Sequence, residues 1–444
     1  MSSDHPPTNK VLYLAQEFSI PLLLGVLVAL IVANAAPKQY QQIVHHTYDF
    51  FGNQNDGPAE SDSKTNHADD EHENDEHEND EHGGHSDWTH YLSLHFLIND
   101  IFMVLFFGIA AKEITESCLP GGALNPMSKA INPLMGTIGG VVGPVGVYLI
   151  LNQWVMGDPA WTNGWGIPTA TDIALAWLVA RIIFGVGHPA ISFLLLLAVA
   201  DDGIGLMIIA IFYPTQDPEW LNVLWLIPGI AVAYGLRLKN VQAWSPYILI
   251  GGAFSWWGLY SAHLHPALAL VPIVPFLPGP GYDEGLFQDD LSTEESDPLN
   301  RFEHDLKLPV DFGLFFFAFA NAGVEFTSMN NLTWIVFLSL LVGKTVGITL
   351  FSWVAMVVGF PLPTGMKIKH LFVAGIIAGL GLTVALFVAG QAFQNDSLQG
   401  ASKMGALFSG GIAFIAIAAG KMLGVKDHVS TKQTAPQNSE DTQP

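Results

Sequence analysis

Two adjacent aspartates interrupt a long apolar stretch of the sequence. Asp201 and Asp202 stand in LLLLAVADDGIGL (194–206), and the apolar run LMIIAIF follows shortly after them. An ionisable group at the centre of a membrane helix costs about 2.5–3.5 kcal/mol on insertion scales, so such groups usually face a wet cavity or a partner. Because neighbouring side chains on a helix point about 100° apart, the two carboxylates are predicted to have different surroundings. One faces a cavity, and the other faces a neighbouring helix.

A lysine in a second apolar stretch is the expected partner of one aspartate. Lys344 lies in FLSLLVGKTVGITLF (337–351), and the sequence indicates no other basic residue inside a predicted span. An Asp–Lys pair is the expected way to hold both charges in a low dielectric. A static ion pair that only fixes helix packing is the simpler alternative, but it leaves the second aspartate unexplained. Two further acids in predicted spans, Glu113 and Asp311, lie near span ends, where solvent can reach them.

Two stretches predict helices that break within the membrane. Pro168 in GWGIPTATDIALA (164–176) disfavours a continuous helix. The hydroxyls of Thr169 and Thr171 can satisfy the backbone groups that such a break frees. The second stretch is AGIIAGLGLTVALF (374–387), with three glycines before a threonine. Helix N-termini carry partial positive charge and C-termini partial negative charge. Asp172 is therefore expected to offset the first kind of end, and Lys344 the second.

These residue types suit the exchange of a small cation for protons. Carboxylate and hydroxyl oxygens are the ligands that hard cations prefer, and a carboxylate also binds a proton. A group that holds either ion, but not both well, supplies the competition that exchange requires. We therefore interpret the aspartate pair as a binding and proton-exchange site.

The elements that must position this site are apolar helices. The chain has 444 residues, of which 50% are hydrophobic and 13% charged, against about 25% charged in soluble domains. About twelve segments are long enough to span a bilayer, which predicts an all-α polytopic membrane protein. Most Lys and Arg residues fall on the side of both termini, which indicates that both ends are cytoplasmic. The expected divisions are a cytoplasmic N-terminus (1–10), a first transmembrane helix (11–36), an external loop (37–94), a transmembrane core (95–425) with an acidic cytoplasmic loop (278–308), and a cytoplasmic tail (426–444).

The external loop contains a repetitive acidic tract. DEHEN, DEHEN and DEHGG follow one another over 70–84, and residues 56–87 contain thirteen acidic residues and one lysine. This composition cannot form a packed core, so a disordered insert is predicted. His72, His77 and His82 are weak candidates for metal ligands. The competing interpretation is a solvated insert with no role in transport.

Six motifs together resemble one family. They are INDIFMVLFFG (98–108), GWGIPTATDIALA (164–176), ADDGIGLMIIAIFYP (200–214), LFFFAFANAGV (314–324), LVGKTVGITLFSW (341–353) and GIIAGLGLTVALF (375–387). In this order the chain resembles the NhaA family of sodium/proton antiporters over residues 95–425. The resemblance implies about twelve helices with two inverted-topology repeats and two discontinuous helices, often in a homodimer. Transporters built from inverted repeats bind their ions near the membrane midplane, between the repeats, and this family is one of the examples from which that generalisation was drawn.

The resemblance also implies a role for each matching residue. Asp202 corresponds to the principal cation ligand and proton carrier, and Asp201 to its companion, which pairs with Lys344. The remaining matches are Thr171 and Asp172 in the first broken helix, Thr383 in the second, and Asp100 in the second helix.

Two matches imply a pH-sensing role with less support from the sequence. Glu113 matches a family glutamate on the cytoplasmic side, but Thr115, Glu116 and Ser117 replace the charged residues expected after it. His265 in SAHLHPALAL is the one histidine of its span that matches.

The function implied is secondary antiport of cytoplasmic Na⁺ or Li⁺ against external protons, for sodium and pH homeostasis. The chain would lie in the bacterial inner membrane, in contact with the lipid bilayer and with a second copy. No enzyme activity, cofactor or nucleic acid is expected. One alternative is a divalent-metal/proton exchanger, which the histidine tract suggests although the core lacks His or Cys ligands. Another is an intramembrane aspartyl protease, with Asp172 and Asp201 facing each other around one water.

Overall fold

The protein is helical throughout the part of the chain that the structure describes. A computed structural model describes residues 20–45, 94–122, 124–125, 127–155, 157–280 and 297–425, and no strand occurs in these ranges. The acidic tract with His72, His77 and His82, the chain ends predicted as 1–10 and 426–444, and most of the acidic loop lie outside the described residues.

The described helices are numbered in chain order. They are α1 (Ile20–Ala35), α2 (Pro37–His45), α3 (Leu94–Ser117), α4 (Met127–Val155), α5 (Pro159–Thr169), α6 (Ile173–Phe184), α7 (Pro189–Phe212), α8 (Asn222–Leu238), α9 (247–261), α10 (Pro298–Asn321), α11 (Asn331–Val358), α12 (Ile368–Ala378), α13 (Leu382–Ala392) and α14 (Asp396–Met422).

Five of the described helices are long and apolar enough to cross a membrane, namely α3, α4, α7, α11 and α14. Two bent pairs raise this number to seven if each pair counts as one span: α5 with α6, at 55°, and α12 with α13, at 46°. The helices α1 and α8 are apolar but shorter. The polytopic helical class and the two discontinuous helices are therefore confirmed, whereas about twelve spans and the inverted repeats stay predictions.

Local sequence explains both breaks. The helix α5 ends in a 3-10 turn that contains Pro168, and Ala170 after it is extended. The hydroxyl of Thr169 donates to the carbonyl of Gly166 at 2.7 Å, which satisfies a backbone group near the turn. Gly381 marks the second break, where its backbone leaves the helical region with φ −119° and ψ 36°.

Glycines on both helices allow the backbones of α4 and α11 to pack closely. A side chain at Gly139 or Gly143 would overlap the backbone of α11 at Gly347 and Gly343, and a side chain on those two would overlap α4 in turn. Small residues spaced four apart favour such close helix contacts in membranes. A π-helical turn, Ser339–Gly343, widens α11 immediately before Lys344. The glycine contact therefore fixes the backbone that carries the buried lysine.

The acidic loop is shorter than predicted, because α10 begins at Pro298 rather than after residue 308. Asp297 caps this helix by accepting from the amides of Leu299 and Asn300, at 3.0 and 3.1 Å. Proline suits the first helical position, and Phe302 is fully buried. Because this segment is rich in charged residues, its sequence predicts a loop, although it forms the start of a helix. Similarly, α2 lies within the segment 37–94 that the sequence predicts as a loop.

Candidate functional site

Lys344, Asp201 and Thr171 form one buried cluster where α11, α7 and the first helix break meet. The ammonium of Lys344 donates to Asp201 Oδ2 and, at 2.6 Å, to the Thr171 hydroxyl. Thr171 Oγ1 lies 2.8 Å from Asp201 Oδ2 and 2.9 Å from the carbonyl of Ala378. Because a hydroxyl has one proton, Thr171 donates to one of these two oxygens at a time. The structure thus brings together the lysine and one aspartate of the pair, and both are 0% exposed.

Asp172 links the two broken helices. Its carboxylate accepts from the amide of Leu175 at 3.1 Å, which caps α6, and from the amide of Thr383 at 3.4 Å, in the first turn of α13. Its own amide donates to the carbonyl of Leu380 at 2.6 Å. The negative charge therefore lies at two helix N-termini at once, where partial positive charge stabilises it. This arrangement places Thr383 at the second break, as its position in the sequence implied.

Asp202 faces a small cavity instead of the cluster. The cavity has a volume of about 10 Å³, close to that of one water, and is lined by Phe106, Phe107, Ala110, Asp202, Leu206 and Val384. Within the described residues, Asp202 Oδ1 is buried without a hydrogen-bond partner. The two aspartates therefore do have different surroundings. A cation at Asp202 would take its other oxygen ligands from water or from groups that move, because the rest of this lining is apolar.

Comparisons with known proteins identify the family. The family described as Na+/H+ antiporter 1 matches residues 75–421. The "Na(+)/H(+) antiporter NhaA" of Desulfitobacterium hafniense (strain DSM 10664 / DCB-2) is 54% identical over 423 residues, which cover 94% of this chain and 97% of the relative. The chain belongs to the NhaA family of sodium/proton antiporters. The relative of the same name from Geobacter metallireducens is 52% identical, over 94% of this chain and 99% of its own length. That from Jannaschia sp. is 40% identical, over 92% and 97%.

Asp100 lies apart from the central cluster. It stands in a π-helical turn of α3, Leu97–Phe102, and its carbonyl accepts from the indole of Trp256 at 3.0 Å. The residues of α3 that line the Asp202 cavity begin six positions later, about 9 Å along the helix at 1.5 Å per residue. The part of α3 that carries Asp100 is therefore not the part that lines the Asp202 cavity.

Glu113 belongs to a second charged cluster that the sequence did not reveal. Lys112 contacts Glu303 on α10, Glu116 at 2.7 Å and Glu113 at 3.9 Å. The Glu113 side chain is 15% exposed, so Glu113 is mostly buried beside Lys112 rather than simply solvated, as its place near a span end suggested. Lys344 is also not the only basic residue in a span, because Lys112 and Lys403 lie in α3 and α14 and are buried. Glu303 is 191 positions from Lys112, and no local pattern links the two.

His265 is buried and caps a short 3-10 turn, Pro266–Leu268. Its Nδ1 accepts from the amide of Ala267 at 3.3 Å, and its ring lies 4.7 Å from that of Phe387. The cap uses the lone pair of Nδ1, so protonation at that atom would break it. The geometry gives His265 a structural role.

The two alternative functions gain no support. Among the described residues, no group of three or more His, Cys, Asp or Glu side chains is placed to hold a metal ion. Asp172 and Asp201, which a protease would need around one water, are instead held by different donors: helix amides for Asp172, and Lys344 with Thr171 for Asp201. The names of the relatives give neither activity.

Proposed function

We propose that this protein exchanges cytoplasmic Na⁺ or Li⁺ for external protons and thereby serves sodium and pH homeostasis. The observation that carries the proposal is the contrast between two adjacent carboxylates. Asp201 is neutralised by Lys344, whereas Asp202 faces a water-sized cavity with an unpartnered oxygen. Asp202 then binds a cation or a proton in turn. The printed names of the relatives, Na(+)/H(+) antiporter NhaA, support the same ions.

The proposed architecture has about twelve spans and two inverted repeats. A recurring order supports it: a long helix, a bent pair and a second long helix occur as α4 to α7 and again as α11 to α14. The helix breaks of the two triplets meet at Asp172, which accepts from amides of both. Each proposed repeat thus contributes residues to the site: Asp172 and Asp201 come from the first, and Lys344 and Thr383 from the second.

The proposed setting is the bacterial inner membrane, with both termini cytoplasmic and a homodimer as the assembled form. The distribution of Lys and Arg supports this orientation. The chain then has no resident cofactor, since the transported ions are its substrates. Thr171, Asp172 and Thr383 hold or compensate charge around the pair. The charge-compensating role proposed for Asp100 would act from outside this cluster. Glu113 is the better of the two proposed pH-sensing residues, because it lies in the cluster around Lys112.

The decisive experiment removes the charge of Asp202. In everted membrane vesicles with an imposed pH gradient, sodium addition releases protons and relieves the quenching of a pH-sensitive dye. We expect Asp202→Asn to abolish this response while expression and membrane insertion remain normal, because an amide cannot exchange a proton for a cation. Asp217→Asn, the same substitution at an exposed position, is the matched control and should respond like the parent. A normal response from Asp202→Asn would remove Asp202 from the proposed mechanism.

A further inference from the structure

A buried serine of α14 bonds to the backbone of the second helix break. Ser409 begins a 3-10 turn, Ser409–Gly411, that separates two α-helical parts of α14, and it is 0% exposed. Its hydroxyl donates to the carbonyl of Ala406 at 2.6 Å and accepts from the amide of Gly381 at 3.3 Å. A hydroxyl has one proton to donate and two lone pairs to accept with. Ser409 therefore uses both functions, the first within its helix and the second across to the break.

Polar backbone groups of the second break contact other elements at four places in the described structure. Three of these contacts come from the first break, and they join Ala378 to Thr171, Leu380 to Asp172 and Thr383 to Asp172. The fourth joins the Gly381 amide to Ser409. Buried backbone groups are paired in this way because an unpaired one costs free energy. Ser409 is the partner in this set that belongs to a different element, α14.

The first break has a matching contact with its own long helix. There the Thr171 hydroxyl lies 2.8 Å from Oδ2 of Asp201, on α7. In each triplet, α4 to α7 and α11 to α14, the second long helix thus bonds to the break that precedes it. The bonded residues are 30 positions apart in the first triplet and 28 in the second. Ser409 therefore corresponds in position to Asp201, with a neutral hydroxyl in place of a carboxylate.

The segment held by this bond leads directly to the candidate site. Gly381 precedes α13, and its backbone has the non-helical angles of the break. Two residues later, the Thr383 amide donates to the Asp172 carboxylate. The next residue, Val384, lines the cavity of Asp202. A shift of the Gly381 backbone would therefore move a wall of that cavity and a donor of Asp172 together.

Close packing on other sides fixes the same segment. A Cβ added at Gly381 would lie 2.8 Å from the carbonyl of Ala170 and 2.9 Å from Cδ2 of Leu340. One added at Gly379 would lie 3.1 Å from Cδ1 of Ile412, in α14. The break thus packs against the first break, α11 and α14. The serine hydroxyl supplies the polar part of the contact with α14.

We propose that Ser409 is a positioning residue for the cation site, on which it acts through the Gly381 amide and the start of α13. The inference rests on the proposed exchange function and assigns Ser409 no contact with the transported ions. Without the hydroxyl, the Gly381 amide is a buried donor that has lost its acceptor, and the start of α13 shifts to recover one. The cavity at Asp202 then fits sodium less well, while Asp202 itself still binds and releases a proton.

The test is Ser409→Ala in the purified full chain, reconstituted in liposomes, with sodium-driven proton flux measured over a range of sodium concentrations. We expect the half-saturating sodium concentration to rise at least about fivefold, equivalent to about 1 kcal/mol of binding, with maximal flux within about twofold of the parent. A role in packing alone gives a different result. It would reduce the number of active molecules, and so the maximal flux, without changing the half-saturating concentration.

Ser402→Ala is the matched control. Ser402 lies in the same helix, is also 0% exposed, and donates to the carbonyl three residues earlier, that of Gln399 at 2.9 Å. Ser409 makes the same local bond but in addition accepts from the second break. Ser402→Ala should therefore keep both the half-saturating concentration and the maximal flux of the parent.

A second pair of variants separates the hydroxyl from side-chain size, and it serves as the test if Ser409→Ala does not fold. Ser409→Thr and Ser409→Val introduce side chains of nearly the same shape, and only the first has a hydroxyl. We expect Ser409→Val to raise the half-saturating concentration as Ser409→Ala does. Ser409→Thr should stay close to the parent.

The outcomes distinguish this inference from the function it rests on. A parent-like half-saturating concentration in Ser409→Ala, or equal values in Ser409→Thr and Ser409→Val, would overturn the positioning role and leave the exchange function intact. A fall in maximal flux alone would overturn it as well. If the parent protein itself shows no sodium-driven proton flux, the proposed exchange function is wrong and this inference falls with it.

Discussion

Asp201 and Asp202 are chemically identical neighbours whose roles are separated by what surrounds their oxygens. Asp201 Oδ2 accepts from an ammonium and a hydroxyl, while Asp202 lines an apolar cavity. The one-residue offset on α7 turns the two carboxylates toward different helices. The charge of the first is therefore compensated by Lys344, whereas the second has a carboxylate oxygen without a hydrogen-bond partner among the described residues, as the proposed exchange requires.

We predict that Lys344→Ala lowers both thermal stability and exchange. Removing one partner of a buried ion pair typically costs about 3–5 kcal/mol, because the other charge is left uncompensated. The unfolding temperature in detergent should therefore fall clearly, whereas Asp201→Asn/Lys344→Ala should be more stable than the sum of the two single effects. Additive effects in this double-mutant cycle would show that the two groups do not interact.

At the same scale, sequence reasoning succeeded only where a charge stood out from its surroundings. Lys344 and the aspartate pair interrupt long apolar runs, so their pairing could be predicted. The contact between Lys112 and Glu303 could not, because the sequence does not tell whether the end of a span is covered by another helix. The hydroxyl of Ser409 gives even less signal, since single Ser and Thr residues are common in membrane helices.

At the scale of helices, the breaks in the two bent pairs position Asp172 and Thr383. The close contact between α4 and α11 fixes the backbone that carries Lys344. Both breaks were predictable from Pro168 and from the closely spaced glycines before Thr383, because these residues disfavour a continuous helix. Their meeting at Asp172 was not predictable from spacing alone, since Asp172 and Thr383 are 211 positions apart. Local chemistry thus predicts where a helix ends, and tertiary packing decides what lies beside that end.

We predict that Gly139→Ala destabilises the protein and that Gly146→Ala on the same helix does not. A Cβ at Gly139 would overlap the backbone of α11 at Gly347, whereas one at Gly146 meets nothing within 4 Å. Overpacking of a close contact typically costs about 1–3 kcal/mol. Thermal unfolding in detergent should show a lower midpoint for Gly139→Ala only. Equal midpoints for both variants would mean that the helices separate without cost.

For the whole molecule, the charge is concentrated away from the transport core. The net charge is −23, and residues 56–87 alone contain thirteen acidic residues and one lysine. This tract lies outside the described residues, and the core that carries the site begins after it. We therefore treat exchange and the tract as separable.

We predict that deletion of residues 58–87 leaves maximal exchange within about twofold, because a segment without a packed core supplies no part of the site. A shift in apparent sodium affinity at low salt is compatible with this, since the tract concentrates cations only within a Debye length, about 10 Å at 0.1 M. Vesicle assays at several ionic strengths provide the measurement, and any shift should vanish at high salt. Loss of transport at every salt concentration would show that the tract is required for exchange.

The pairing of Lys344 with one of two aspartates has a consequence for leakage. Together Lys344, Asp201 and Asp202 carry one net negative charge, so the group needs one positive charge, from sodium or from a proton, to become neutral. An empty site would have to move that charge through a low dielectric, where unpaired charges are strongly disfavoured. A site that is occupied can change sides at much lower cost. On the proposed function, the fixed lysine would therefore favour tight coupling, because the site would cross to the other side of the membrane only when it holds a sodium ion or a proton.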